Sequence, residues 1–240
     1  MKRTFFRARR LISGIVALAS VMVLSGSSVA SAAVMVTNVF NGDTEFYAAN
    51  VSNSDLLTGL PNVSTGFNAT YGPEKLNNGI YAGGNIGEIA WVQDPSATSE
   101  FTLGAGVHGL GYDITTINSL AAWGSADFRN QLFAVYVKHL GDAGFTLLAS
   151  VDNRPGQSGA AGSTQSTIFE DETGLLASNV VAIRFEFGDA ADNYAGSTTF
   201  SEIDVFGNAT APLPAPEPGT LVAFSGALAL ATWRRKKRSQ

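Results

Sequence analysis

Between Val34 and Asn208 the apolar residues recur with a period of two, and no long segment keeps the 3.6-residue period of an amphipathic helix. Alternation of this kind predicts β-strands that bury one face and expose the other. The core positions predicted in this way are Val181, Ile183, Phe185 and Phe187; Phe145, Leu147, Ala149 and Val151; Phe133, Val135 and Val137; Phe101 and Leu103; Ile203 and Val205; and a further strand within 114–122.

Turns rich in glycine, asparagine and aspartate separate these strands, as at 141–144 and 154–162. The strands follow one another at intervals of about 8–15 residues, and no helical pattern lies between them. Such spacing is typical of the all-β class, and in particular of an antiparallel β-sandwich or jelly roll. We therefore expect residues 34–208 to form one β-sandwich domain.

The first 33 residues follow a different pattern. Five basic residues occur within 1–10, an uncharged and largely apolar stretch follows at 11–24, and small residues occupy 30–33. This order is that of a secretory signal peptide, which signal peptidase removes during export. We expect cleavage after Ala32 or Ala33. The alternative is an N-terminal segment that is retained as an anchor.

The C-terminal segment combines a spacer, a short apolar stretch and a basic end. The proline-rich linker at 209–215 is expected to be extended. Residues 220–233 carry no charge, and five basic residues follow at 234–238. A helix of these 14 residues covers about 21 Å, less than the hydrocarbon core of about 30 Å, so we expect only transient membrane insertion. The alternative is a permanent tail anchor.

The tripeptide Pro216-Glu217-Pro218, followed by the apolar stretch and the basic cluster, resembles the PEP-CTERM sorting signal of Gram-negative bacteria. The resemblance covers residues 216–238. It implies that the membrane enzyme exosortase cleaves the chain near Pro216, Glu217 and Pro218. It also implies that an inner-membrane-anchored precursor becomes a protein of the cell surface or the extracellular matrix.

Charge is unevenly distributed along the chain. Ten of the fifteen Lys and Arg lie in the two terminal segments, so residues 34–208 carry five basic and nineteen acidic side chains, a formal charge of −14. A domain this acidic repels phosphate backbones, and nucleic acid is therefore not expected as a partner. The chain has no cysteine, which excludes disulfides and thiolate chemistry within it.

The order of the predicted strands, which ends with the strand at 201–207, resembles a galactose-binding-like, discoidin-type sandwich over roughly residues 70–207. In that superfamily a loop before a tryptophan strand and a glutamate of the last strand hold a structural calcium ion. In this chain the loop 76–79 precedes Trp91, and Glu202 lies in the last strand. The resemblance implies Asn78 and Glu202 as candidate calcium ligands, together with carbonyl oxygens around Leu76. The alternative is that Glu202 is a surface carboxylate with a structural role.

Sugar binding is suggested by aromatic residues outside the clearest strands. Tyr81 and Tyr194 are the preferred carbohydrate-binding candidates because each lies in a loop rich in glycine or aspartate. Sequence alone leaves three further aromatic residues as candidates that could equally belong to the core, namely Trp91, Trp123 and Tyr112.

Motifs of catalysis are absent from the sequence, which has no Gly-x-Ser-x-Gly elbow, no His-Glu-x-x-His and no phosphate loop. We therefore expect a non-enzymatic surface or matrix protein whose sandwich binds exopolysaccharide or is embedded in it. One alternative is a secreted polysaccharide hydrolase with a carboxylate pair drawn from Asp94, Glu100, Asp127 and the acidic loops. The other is a purely structural surface protein.

Overall fold

Ten β-strands and three short 3₁₀-helices make up the part of the chain that the computed structural model describes, which is residues 33–44, 46–82, 85–123, 128–155, 162–170, 174–189 and 197–213. The predicted signal peptide, Tyr194 and the motif at 216–218 lie outside these residues. The strands are β1 (Val34–Asn41), β2 (Asn62–Thr65), β3 (Ala90–Val92), β4 (Thr98–Thr102), β5 (Tyr112–Trp123), β6 (Gln131–His139), β7 (Thr146–Asn153), β8 (Gly162–Glu170), β9 (Ala177–Phe187) and β10 (Thr198–Ala209), and the helices are Ala48–Asn50, Pro73–Lys75 and Ile86–Glu88.

The strands form two antiparallel layers, which confirms the predicted β-sandwich. One layer has the order β1-β8-β5-β10-β3, and the other has the order β7-β6-β9-β4-β2. The layers join at one corner, where the start of β5 pairs with the start of β9. The alternating side chains of both layers therefore face one another across a single core.

Phenylalanine rings from both layers fill that core. Phe133 on β6 lies 6.2 Å from Phe185 and Phe187 on β9, and 5.8 Å from Phe200 on β10, between ring centroids. The aromatic side chains are at most 4% exposed. Edge-to-face and tilted pairs at these distances stabilise a core beyond the burial of their area.

Three predicted core positions are wrong, and β-bulges account for them. Phe145 precedes the register shift in the β6–β7 pairing and lies outside the core, with the guanidinium carbon of Arg184 4.5 Å from its ring centroid. Leu147 on β7 is 58% exposed, because a register shift in the β6–β7 pairing turns it outward and turns Leu148 toward the core. Val180, not Val181, is buried at the start of β9, because the β6–β9 register shifts at the same place. One extra residue moves all side chains beyond it to the opposite face.

The two ends of the sandwich are named here the base and the apex. The base is the end at which β1 begins at Val34 and β10 ends at Ala209, so both termini of the described domain leave from it. The apex is the opposite end, where β5 finishes at Trp123 and β10 begins at Thr198. Within the described residues no helix is long and apolar enough to span a membrane, and the apolar stretch at 220–233 lies outside them.

Candidate functional site

A cleft of about 790 Å³ opens at the apex, beside the start of β10. Its floor and walls combine aromatic rings with polar side chains from three separate segments. The residues that line it are Gly66, Phe67, Trp91, Gln93, Asp94, Pro95 and Ser197.

Gly66 holds the two sides of this cleft together. Its φ is +79°, and a side chain there would place a Cβ 2.6 Å from the Cβ of Ala97, so the position requires glycine. Its carbonyl oxygen accepts hydrogen bonds from the N–H groups of Gln93 and Asp94, each at 3.0 Å. The turn after β3 is therefore fixed against the segment after β2. The side chains of Gln93 and Asp94 in this turn are exposed.

Trp91 is the central aromatic residue of the cleft. Its ring is half-buried, lies 5.6 Å from Phe128 in an edge-to-face arrangement, and lies 6.1 Å from Tyr71 with the planes tilted by 31°. These neighbours restrict the indole to one orientation. Its Nε1 is shielded from solvent and donates no hydrogen bond within the described structure.

The polar groups of the cleft favour hydrogen bonding to a neutral ligand. Hydrogen bonds from the Ser96 hydroxyl and the Ser96 N–H hold the pKa of the Asp94 carboxyl below its usual value, so at neutral pH Asp94 is an ionised acceptor. Gln93 supplies both a donor and an acceptor. Within the described part of the chain, no lysine or arginine lines the cleft. Aromatic rings with a few convergent polar groups form the usual lining of a small-molecule site.

One of the two tyrosines preferred from sequence lies elsewhere. The Tyr81 hydroxyl donates a hydrogen bond to the carbonyl of Thr44 at 2.6 Å, and Tyr81 does not line the cleft. Tyr194 lies outside the described residues, as does Asp127. Asp94 lines the cleft, whereas Glu100 is on β4, paired across the strands with Arg184, so the structure does not bring these two carboxylates into one site.

A second set of polar groups lies under the outer surface of β10. We call Asp55, Glu202 and Asp204 the carboxyl cluster. Glu202 and Asp204 are fully buried and belong to the face of β10 away from the phenylalanine core. The alternative that Glu202 is a surface carboxylate is therefore wrong: segments 52–57 and 76–80 cover that face, and the N–H groups of Leu56 and Ile203 bond across their edges.

Backbone N–H groups satisfy the carboxyl cluster only in part. Glu202 Oε2 accepts the Gly79 N–H at 3.2 Å, whereas Glu202 Oε1 is buried with no hydrogen-bond partner. Asp204 accepts the Ser52 N–H at 3.3 Å, and Asp55 accepts the Val205 N–H at 3.1 Å. No ion pair joins these three carboxyls to a Lys or Arg among the described residues.

Burial without a cation raises the pKa of two members of the cluster. Desolvation is the main cause for Glu202, and with the nearby charges of Asp204 and Asp55 it raises the pKa of Glu202 to about 9, although the Gly79 N–H opposes the change. Desolvation, followed by the charge of Asp55, raises the pKa of Asp204 to about 7. A carboxyl with a pKa near 9 carries a proton at neutral pH unless a cation replaces it.

The structure places only one of the two predicted calcium ligands at the carboxyl cluster. Asn78 Oδ1 accepts the Ile80 N–H at 2.9 Å, and Asn78 Nδ2 donates to Glu88 at 3.1 Å, so the hydrogen bonds of both atoms go to partners other than Glu202. Across the described part of the chain, no group of three His, Cys, Asp or Glu is arranged to hold a metal ion. The unpartnered Oε1 of Glu202 is the atom that fits a cation. Joint binding by Asn78 and Glu202 stays a prediction.

Comparison with known proteins gives likenesses of fold. No family model matches the chain, and no curated protein matches its sequence. One similar solved structure is CpGH89CBM32-5 from Clostridium perfringens, in complex with GalNAc-β-1,3-galactose, at 15% identity and a TM-score of 0.44 over 64% of this chain and 99% of that one. The lectin binding domain of lectinolysin, complexed with Lewis b, is 12% identical, with a TM-score of 0.42 over 67% of this chain and 99% of that one. A Streptococcus pneumoniae fucose binding module, SpX-3, is 10% identical, with a TM-score of 0.42 over 66% of this chain and 99% of that one.

Proposed function

We propose that this protein is an exported, non-enzymatic glycan-binding protein, and that the apical cleft takes one or two sugar units of an extracellular polysaccharide. The observation that carries the proposal is the cleft itself, in which the oriented ring of Trp91 lies beside Gln93 and Asp94. A sugar ring has an apolar C–H face that packs on an aromatic ring, and hydroxyls around its rim that exchange hydrogen bonds with amide and carboxylate groups.

The charge of the site selects among sugars. Asp94 is ionised, the described residues that line the cleft include no basic side chain, and residues 34–208 carry a formal charge of −14. A uronic acid or a sulfated sugar would bring a second negative charge into this field without a cation to pair with it. The ligand is therefore a neutral hexose or N-acetylhexosamine unit.

Binding of the purified protein to a panel of immobilised glycans tests this proposal. We expect binding to neutral glycans, including the neutral polysaccharide that the producing organism secretes, and at least ten-fold weaker binding to uronic-acid polymers. No release of reducing ends should accompany binding, because Asp94 is the one carboxylate among the described residues that line the cleft. Binding confined to anionic polymers, or binding to none, would contradict the proposal.

We further propose that the protein reaches the polysaccharide as an exosortase substrate. The resemblance of 216–238 to a sorting signal and the signal-peptide pattern of 1–33 support this step. Intact mass spectrometry of surface-released protein tests both ends together. We expect a chain that begins after Ala32 or Ala33, ends near Pro216, Glu217 or Pro218, and lacks Trp233. A released chain that still carries the basic residues 234–238 would contradict the sorting proposal.

We also propose that calcium, when present, binds at Glu202. The buried and unpartnered Oε1 supports this proposal. An ion that binds only the folded state stabilises it by RT ln(1 + [L]/Kd), about 2.7 kcal/mol at one hundred times Kd. We expect millimolar calcium to raise the melting temperature and a chelator to lower it. Glu202→Gln should abolish this difference and Glu74→Gln, at an exposed position, should retain it. Equal melting temperatures in calcium and in chelator would contradict the proposal.

A further inference from the structure

Strand β1 forms one edge of the first layer. All eight of its residues pair with β8, in continuous register, and no described strand pairs with its other side. Its sequence, VMVTNVFN, has no charge and no proline. Five apolar side chains of this strand are each between 36% and 44% exposed, namely Val34, Met35, Val36, Val39 and Phe40.

Open edges in soluble proteins are usually protected against pairing by a charge, a proline, a bulge or a very short strand. The other open edges of this sandwich are protected in this way. Strand β7 carries Asp152 and the bulge at Leu148, β2 has only four residues, and β3 has only three. Strand β1 has none of these features. Two side-chain hydrogen bonds link it to β7, from Asn38 to the Asp152 carbonyl and from Asn153 to the Val39 carbonyl, and no described backbone group bonds to its outer side.

We propose that β1 pairs with β1 of a second copy of this chain, antiparallel, about a two-fold axis at Thr37. In an antiparallel pair, residues directly opposite one another lie on the same face of the sheet. The proposed register places Met35 opposite Val39, Val34 opposite Phe40 and Val36 opposite Asn38, each twice, with Thr37 opposite Thr37. Four of these seven pairs are apolar on both sides, two join a valine to an asparagine, and a threonine pair lies at the centre.

Charge identifies a second copy as the partner. Residues 34–208 have a formal charge of −14, so two copies repel each other over most of their surface. Strand β1 is an uncharged segment of that surface, and two copies can meet there without burying like charges. A basic partner would be attracted to the acidic surface elsewhere, whereas β1 fits a strand that is apolar and uncharged. The chain supplies such a strand in β1 itself.

This pairing determines where the two clefts point. A two-fold axis perpendicular to the sheet reverses the strand direction, so the apex of one copy lies beside the base of the other. The two clefts then open at opposite ends of a continuous sheet of ten strands. This consequence rests on the proposed glycan binding, and it makes the pair a bivalent cross-linker that joins two polysaccharide chains.

The absence of cysteine from the chain allows a direct test. Thr37→Cys places two thiols opposite each other in the proposed pair, within reach of a disulfide. We expect most of the exported full chain carrying Thr37→Cys to migrate at twice its mass under mild oxidation, and reductant to reverse the change. Val63→Cys is the matched control, because Val63 is 76% exposed on β2 at an edge of the other layer, and it should remain monomeric.

A charge added to β1 provides the second variant. Val39 is exposed, so Val39→Lys should not disturb the core, yet it would place two lysines in the proposed interface. In the Thr37→Cys background it should reduce cross-linking at least ten-fold. Cross-linking of Thr37→Cys no greater than that of Val63→Cys, or unaffected by Val39→Lys, would overturn the proposal. The assay contains no sugar, so a failure of glycan binding would not alter its result.

Discussion

The free energy of unfolding is expected to fall by several kcal/mol as the pH rises from 5 to 9 in the presence of a chelator. Burial raises the pKa of Glu202 to about 9 and that of Asp204 to about 7, whereas an unfolded carboxyl has its ordinary pKa near 4. Between those values the folded state binds more protons than the unfolded state, so stability decreases with pH. The slope is on the order of 1 kcal/mol per pH unit for each carboxyl.

Glu202→Gln removes the group that titrates over the widest range while retaining its shape. We expect this variant to lose most of the decrease above pH 7, since Asp204 has then already ionised. Glu74→Gln makes the same substitution at an exposed position and should leave the slope unchanged. Chemical denaturation at each pH gives the free energy of unfolding. If the free energy of unfolding of the unmodified protein in chelator did not change with pH, the prediction would be contradicted, because ionisation of the carboxyl cluster would then not destabilise the fold.

Trp91→Ala is expected to weaken glycan binding by about 30-fold, while Tyr136→Ala is expected to leave it unchanged. A central aromatic side chain at a binding site contributes on the order of 2 kcal/mol, which corresponds to that factor. Tyr136 is the matched control because its half-buried ring lies under Arg184, 5.2 Å from the guanidinium carbon, on the outer face of β6. Calorimetric titration with the neutral oligosaccharide selected from the panel gives both affinities.

Loss of the Trp91 ring also removes packing against Phe128 and Tyr71, so a second variant separates binding from folding. Gln93 is exposed, and Gln93→Ala should weaken binding by about ten-fold with no change in melting temperature. Unchanged affinity in both variants would exclude the apical cleft. Weaker binding by Tyr81→Ala in their place would assign the sugar to the loop that the sequence favours.

The sequence predicts the strands in which apolar residues alternate with polar ones and the apolar residues are the buried ones. Phe133, Val135 and Val137 are all buried, as expected. Strand β8 escaped prediction because polar groups occupy its buried positions: Thr164 Oγ1 accepts from Gln131, and Ser166 Oγ accepts from Asn153. Hydroxyl and amide groups that satisfy one another inside a sandwich leave no apolar period to detect.

The candidate site was predictable in its chemistry but not in its location. In the sequence, Trp91 is one of several aromatic residues that could equally belong to the core. What distinguishes it is the close contact between the backbone of Gly66 and Ala97. That contact depends on the pairing of β2 with β4, which the sequence does not reveal. The resemblance to a galactose-binding-like sandwich implies Glu202 as a candidate ligand from its place in the last strand. Its burial depends on segment 52–57, in which the N–H of Leu56 donates a hydrogen bond to the carbonyl oxygen of Val205. These two residues lie nearly 150 positions apart in the sequence.

Both termini of the described domain leave from the base, which is the end of the sandwich opposite the cleft. Under the proposed sorting route, a tether on the C-terminal side would therefore attach away from the cleft, so attachment and glycan capture would not compete for one surface. In the proposed β1–β1 pair the two bases lie at opposite ends of the shared sheet, about 40 Å apart for the twelve residues of β5. Short tethers to one flat surface could then hold only one copy of each pair.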